Sequence, residues 1–168
     1  MTQRTYHGIT LVLRMMKDGE IDLESEFRAV AERHRVDHEI HHVAADLARW
    51  CAENLEAIAS LSERYGGGLE RHPEPREAPG PVGVLREKAS ELLGRRPEAG
   101  LLLLRDLQRL YTMASSNSAL WIMLGQGAQA IRDVDLLDAV TACHARTLRQ
   151  VAWCHTMIKA LSPQALTA

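Results

Sequence analysis

The chain has 168 residues, 46% apolar and 25% charged, with a formal charge of −2. That is the balance of an ordinary globular domain with enough chain to bury a core, and it excludes the strongly basic footprint of a nucleic-acid binder. Aromatic residues are only 4%, and Leu and Ala carry most of the apolar side, which favours helices over sandwiches.

Residues 1–20, with "YHGITLVLRMMKDGE", read as an extended arm or as a short helix stopped by Asp18-Gly19. The apolar run here is too short to span a membrane, and no small-residue cleavage site follows it. From Asp22 a helical pattern sets in, with Leu23, Phe27, Val30 and Ala31 on one stripe. Asp37 offers a further capping position, and the pattern then runs unbroken to Gly66. Its stripe is Ile40, Val43, Leu47, Trp50, Ile58, Leu61 and Tyr65. Periodicity leaves open whether 22–65 is one helix or two with a break near Val36.

Residues 66–80 are rich in Gly and Pro and predict a loop able to cross the end of a bundle. "VGVLREKASELLG" predicts a short extra helix closing at Gly94, and Pro97 sits at the next helix start. In that helix Leu103, Leu107, Leu110, Ala114, Asn117, Trp121, Leu124, Ala128 and Ile131 alternate in steps of four and three, the seam of a left-handed bundle. Asp133 or Asp135 caps the last helix, whose expected stripe is Leu137, Val140, His144, Val151, Ile158 and Leu161, with "SPQALTA" ending it. The expected fold is all-α, of four-helix-bundle type. One bundle domain covers 21–168, with the arm before it, and the last two helices form an antiparallel pair.

"YTMASSNSALW" places small polar residues inside this Leu-rich seam. Asn117 falls on the seam and His144 on that of the partner helix, at similar depth from a turn near Arg132. An unpaired buried polar group costs about 1–3 kcal/mol, so the two are expected to satisfy each other. Ser115, Asn117, Ser118 and His144 then make a polar core layer that fixes register in a Leu/Ala core.

Half of the histidines, His34, His38, His41 and His42, lie close together. His38 and His42 are one helical turn apart, a spacing that can chelate a divalent metal, and Glu39 with His42 forms an E-x-x-H. With Glu53 and Glu56 nearer the middle of that helix, and His144, these are the candidate metal ligands. The plainer reading of the cluster is solvated or helix-terminal histidines, and a pH-sensing role for His34–His42 is a third, because free histidine titrates near 6.5. Cys51, Cys143 and Cys154 are odd in number and form no CxxC, which argues for a reducing cytoplasm. Neither G-x-S-x-G nor a P-loop occurs, and neighbours such as Cys154 and His155 point to different helix faces. No catalytic residue is assigned.

Residues 101–160 resemble the helical hairpin of the ferritin-like superfamily, and within it the YciF-like stress-response branch. The similarity rests on Leu104, Asp106, Leu110 and Tyr111, then Leu137, His144, Thr147 and Gln150. It implies a ferritin-like bundle and a di-metal centre. Yet Ala114 and Ser115 stand where the family has a glutamate ligand, and Thr141-Ala-Cys-His144 stands in place of E-x-x-H. The expectation is therefore a ferritin-like bundle lacking a complete di-metal centre, acting as a binding or interaction protein, stress-related if it follows its branch. The alternative is a metal-binding oxidoreductase or iron-handling protein built on Glu39, His42 and His144. No cofactor is expected under the first reading, Fe or Zn under the second. The apolar run Leu101–Leu104 leaves surface for a partner, so a homodimer is expected, with neither nucleic acid nor membrane as partner.

Overall fold

A computed structural model describes residues 6–66 and 99–168. They form four helices packed as a bundle: α1 (His7–Arg33), α2 (His38–Arg64), α3 (Ala99–Ile131) and α4 (Val134–Thr167). The short helix expected at 82–94, and the 66–80 loop beyond Gly66, lie outside the described residues.

Helix α1 corrects the reading of residues 1–20. It begins at His7 and runs through Asp18-Gly19 without a break, so residues 7–20 are the first half of a bundle helix. Ile9, Leu13, Met16, Glu20, Leu23, Phe27 and Val30 recur at steps of three and four and are all buried. A lone glycine costs a helix interior about 1 kcal/mol, less than burying Leu13 and Met16 returns at about 1.5–3 kcal/mol each. Gly19 also has a use. A Cβ there would run into Oδ1 of Asn117, so the glycine lets α3 come close to α1.

The break near Val36 is real, and each side of it is capped. Nδ1 of His41 donates to the carbonyl of Ala31 at 2.8 Å, satisfying an acceptor at the end of α1. Oδ1 of Asp37 accepts from the amide of Ile40 at 3.1 Å, satisfying a donor at the start of α2. The turn between α3 and α4 is tighter. Arg132 takes the left-handed conformation (φ 57°), and the amides of Arg132 and Asp133 bond back to Gln129 and Ala128, a Schellman closure that usually employs glycine. Asp133 then caps α4 through the amide of Leu136 at 2.9 Å.

Three contacts fix the directions. Thr10 Oγ1 meets the carbonyl of Tyr65, Asp133 meets Arg64 and Tyr65, and Arg33 meets Asp106. Helices α1 and α4 therefore run one way and α2 and α3 the other. Each helix packs on two antiparallel neighbours, in the ring order α1–α2–α4–α3. Arg64 and Ala99 lie at opposite ends of the bundle, so the chain between them joins one end to the other.

The α3 seam is buried as its periodicity predicts, apart from the half-buried Ile131. Helix α4 is rotated relative to its expected stripe. Its core line is Leu136, Val140, Cys143, Thr147, Gln150 and Cys154, and Leu137, His144, Val151 and Ile158 sit on the flank, half-buried. Thiols and polar groups hold the core positions that large aliphatics were expected to fill. The helix also continues past Pro163 to Thr167.

Candidate functional site

The core is not continuous oil. One apolar cluster, around Phe27, Ile40, Leu107 and Leu110, fills the end near the α1–α2 turn. A second, around Leu13, Ile58, Trp121 and Leu136, fills the other end. Between them every helix contributes polar groups to one mid-bundle layer: Glu20 from α1, Cys51 and Asn54 from α2, Asn117 from α3, Thr147 and Gln150 from α4. All six are 3% exposed or less.

The layer repeats between the two hairpins. Cys51 and Asn54 stand as far into α2, which begins at His38, as Thr147 and Gln150 stand into α4, which begins at Val134. Glu20 and Asn117 fall within one residue of the same distance from the ends of α1 and α3. Each half of the bundle thus presents one inward residue from its first helix and an i, i+3 pair from its second, residues that share a helix face.

Glu20 dominates the chemistry of this layer. Asn54 Nδ2 donates to one carboxyl oxygen at 3.3 Å, and the other oxygen has no hydrogen-bond partner among the described residues. Burial pushes this carboxyl up from 4.5 to about 7, while the nearby Asn54, Cys51, Trp121 and Asn117 pull the other way. Cys51 is pushed well above its ordinary thiol value by burial first and by Glu20 second, so it is a poor nucleophile at neutral pH. Gln150 Nε2 donates to the carbonyl of Leu47 at 3.0 Å and to Cys51 Sγ at 3.1 Å. Trp121 Nε1 donates to Thr147 Oγ1 at 3.1 Å. Asn117 Nδ2 and Gln150 Oε1 have no partner among the described residues. Beside the layer, Arg146 bridges Asn54 at 3.4 Å and Glu53 at 3.0 Å.

The residues singled out from the sequence are distributed differently. Asn117 is buried in the layer but faces Gly19 of α1. His144 instead bonds Ser118 at 2.9 Å on the outer side of the α3–α4 pair, where burial lowers its pKa. Ser115 is half-buried on α3. His38, Glu39 and His42 occupy the exposed first turns of α2, with the rings of His38 and His42 stacked 6.2 Å apart. Glu53 and Glu56 are exposed further along α2. The fold does not gather these five with His144. His34 instead joins Arg33 on the buried Asp106, at 2.8 and 2.6 Å, tying the end of α1 to the start of α3.

Among the described residues no group of three or more His, Cys, Asp or Glu side chains is placed to hold a metal ion. Four-helix bundles that hold a pair of metal ions use a glutamate from each of two helices and Glu-x-x-His from each of the other two. Here the corresponding places carry Glu20, Asn117, Cys51-x-x-Asn54 and Thr147-x-x-Gln150. One carboxyl and no histidine do not fit a pair of hard cations. No helix among the described residues is long and apolar enough to cross a membrane.

Sequence reading passed over Glu20, Cys51 and Asn54, and reached Thr147 and Gln150 only through the resemblance. A signal was present. Glu20 continues the stripe of Leu23 and Phe27 back to Met16 and Leu13, and each i, i+3 pair lies on its helix's seam. Comparison with protein-family models, with curated proteins and with solved structures found no significant match.

Proposed function

We propose that the protein is a bundle of ferritin-like layout whose metal layer is rebuilt from neutral polar groups, and that it works as a binding or interaction protein. The observation that carries this reading is the mid-bundle layer itself. Its six positions repeat the one-plus-pair arrangement of a di-metal bundle, but five of them hold thiol, amide or hydroxyl groups. The course of the helices supports the layout, since two antiparallel hairpins joined end to end by one crossover is the ferritin-like connection. The sixth position, Glu20, fits a neutral layer when protonated, because burial favours its uncharged form.

Metal analysis of protein purified without a His-tag, before and after anaerobic Fe(II) addition, tests the reading. The expected result is no stoichiometric metal and no oxo-bridge absorption after exposure to air. Two irons per chain with such a band would overturn it in favour of a metal-dependent oxidoreductase.

A further inference from the structure

The surface of the bundle is divided in a way the interior is not. From Leu110 to Ile131, α3 contains no Asp, Glu, Lys, Arg or His. The side of α3 that meets α4 is a line of Tyr111, Ser115, Ser118, Ile122, Gln126 and Gln129, placed there by the contacts of Ser118 with His144 and of Tyr111 with His155. The matching line of α4 is Leu137, Thr141, His144, Ala145, Leu148 and Ala152. The charged residues of this part of α4, Asp138, Arg146 and Arg149, share a helix face, and Arg146 reaches Asn54 and Glu53 of α2. The junction of the two helices therefore carries no formal charge, and Asp138 and Arg149 border it on the outward side of α4, next to Ala145. In its lower half lies a groove of about 400 Å³ lined by Ile122, Gly125, Leu137, Val140, Ala145 and Leu148 among others. Ile122 and Leu148 on its rim are 53% and 49% exposed.

We infer that this face seats a second copy of the same chain, α3 and α4 of one protomer packing on α3 and α4 of its partner about a two-fold axis. The inference takes the interaction-protein reading above as its starting point and names the partner and the surface. An isologous contact needs a patch complementary to itself, with projection and recess on the same face. Ile122 and Leu148 supply the projections and the groove between α3 and α4 supplies the recess. The charge-free junction pairs with its own copy without repulsion, and its border on α4 carries one charge of each sign, Asp138 and Arg149.

The size is sufficient. The charge-free lines run over residues 111–129 and 137–155, about 27 Å at 1.5 Å per residue. Across two helices about 10 Å apart this gives roughly 500–600 Å² per copy. The total of about 1,000–1,200 Å² is at the lower bound for a specific interface, so dissociation in the micromolar range is expected.

Sedimentation and light scattering over about 1–200 µM protein test the inference directly. The expected result is a mass rising towards twice 18.7 kDa. Ile122→Glu, Leu148→Glu and Ala145→Arg should each weaken the dimer at least about tenfold with unchanged helicity and melting. All three positions are exposed in the single chain, so folding is spared. Met15→Glu, at a position similarly exposed on α1, should leave the dimer intact. A monomer throughout the range, or a dimer that survives all three face variants, overturns the inference. Neither result touches the metal analysis above, which tests the reading of the core independently.

Discussion

The outward faces of the α1–α2 hairpin carry Arg14, Asp18, Arg28, Asp46, Arg49 and Glu56, all exposed, and several are paired along their own helix. The α3–α4 hairpin has nothing comparable where its two helices meet, only hydroxyls, amides, alanines and a few aliphatics. Inside, the two hairpins match, position for position, in the polar layer. Interior and surface therefore answer to different demands. The matched interior follows from how two hairpins must pack to close one bundle. The unmatched surface is free of that demand, and its chemistry reports what each side meets.

Substitutions can break the interior match at graded cost. The largest effect is expected for Trp121→Ala, since Trp121 is fully buried and also satisfies Thr147. A loss of about 3–5 kcal/mol should appear in denaturant unfolding. Gly19→Val should cost about 1–3 kcal/mol by overpacking against Asn117. Most of that loss should be recovered in Gly19→Val/Asn117→Ala, and failure to recover would mean α1 and α3 do not meet through this pair. Thr147→Val keeps the shape but strands the indole N–H, at about 1–2 kcal/mol. Arg132→Gly is the mildest change and should stabilise by about 0.5–1 kcal/mol, because glycine takes the left-handed turn without strain.

Much of this bundle can be read from spacing alone. The α3 seam is legible because large apolar residues hold nearly every core position, so the period and the burial coincide. Helix α4 is less so. Its core line includes two cysteines, a threonine and a glutamine, and a reading weighted to aliphatics rotates the helix toward Leu137 and Val151. Glu20 is hidden for the same reason, compounded by Asp18-Gly19, which locally reads as a stop although tertiary packing carries the helix through it. The partner of Asn117 also lay beyond reach. Depth from the turn places Asn117 and His144 at similar heights, but Ser118, one residue further round the helix, is the group that meets His144.

The central claim is that Glu20 is a neutral member of a polar layer, and the pH dependence of its contribution to stability tests it most directly. A carboxyl raised from 4.5 to about 7 on folding binds its proton more tightly in the native state. Its share of stability is therefore present below its unfolded value and is lost as pH rises through about 7. Unfolding of the wild type and of Glu20→Gln should be compared by denaturant titration from about pH 4.5 to pH 8, the difference cancelling the histidines common to both. The wild type should weaken relative to Glu20→Gln across that window, by up to about 3 kcal/mol, and then level off. A difference that does not change with pH, or a wild type that gains on Glu20→Gln at high pH, would mean that folding does not raise the affinity of this carboxyl for its proton, and the neutral-layer account would be wrong.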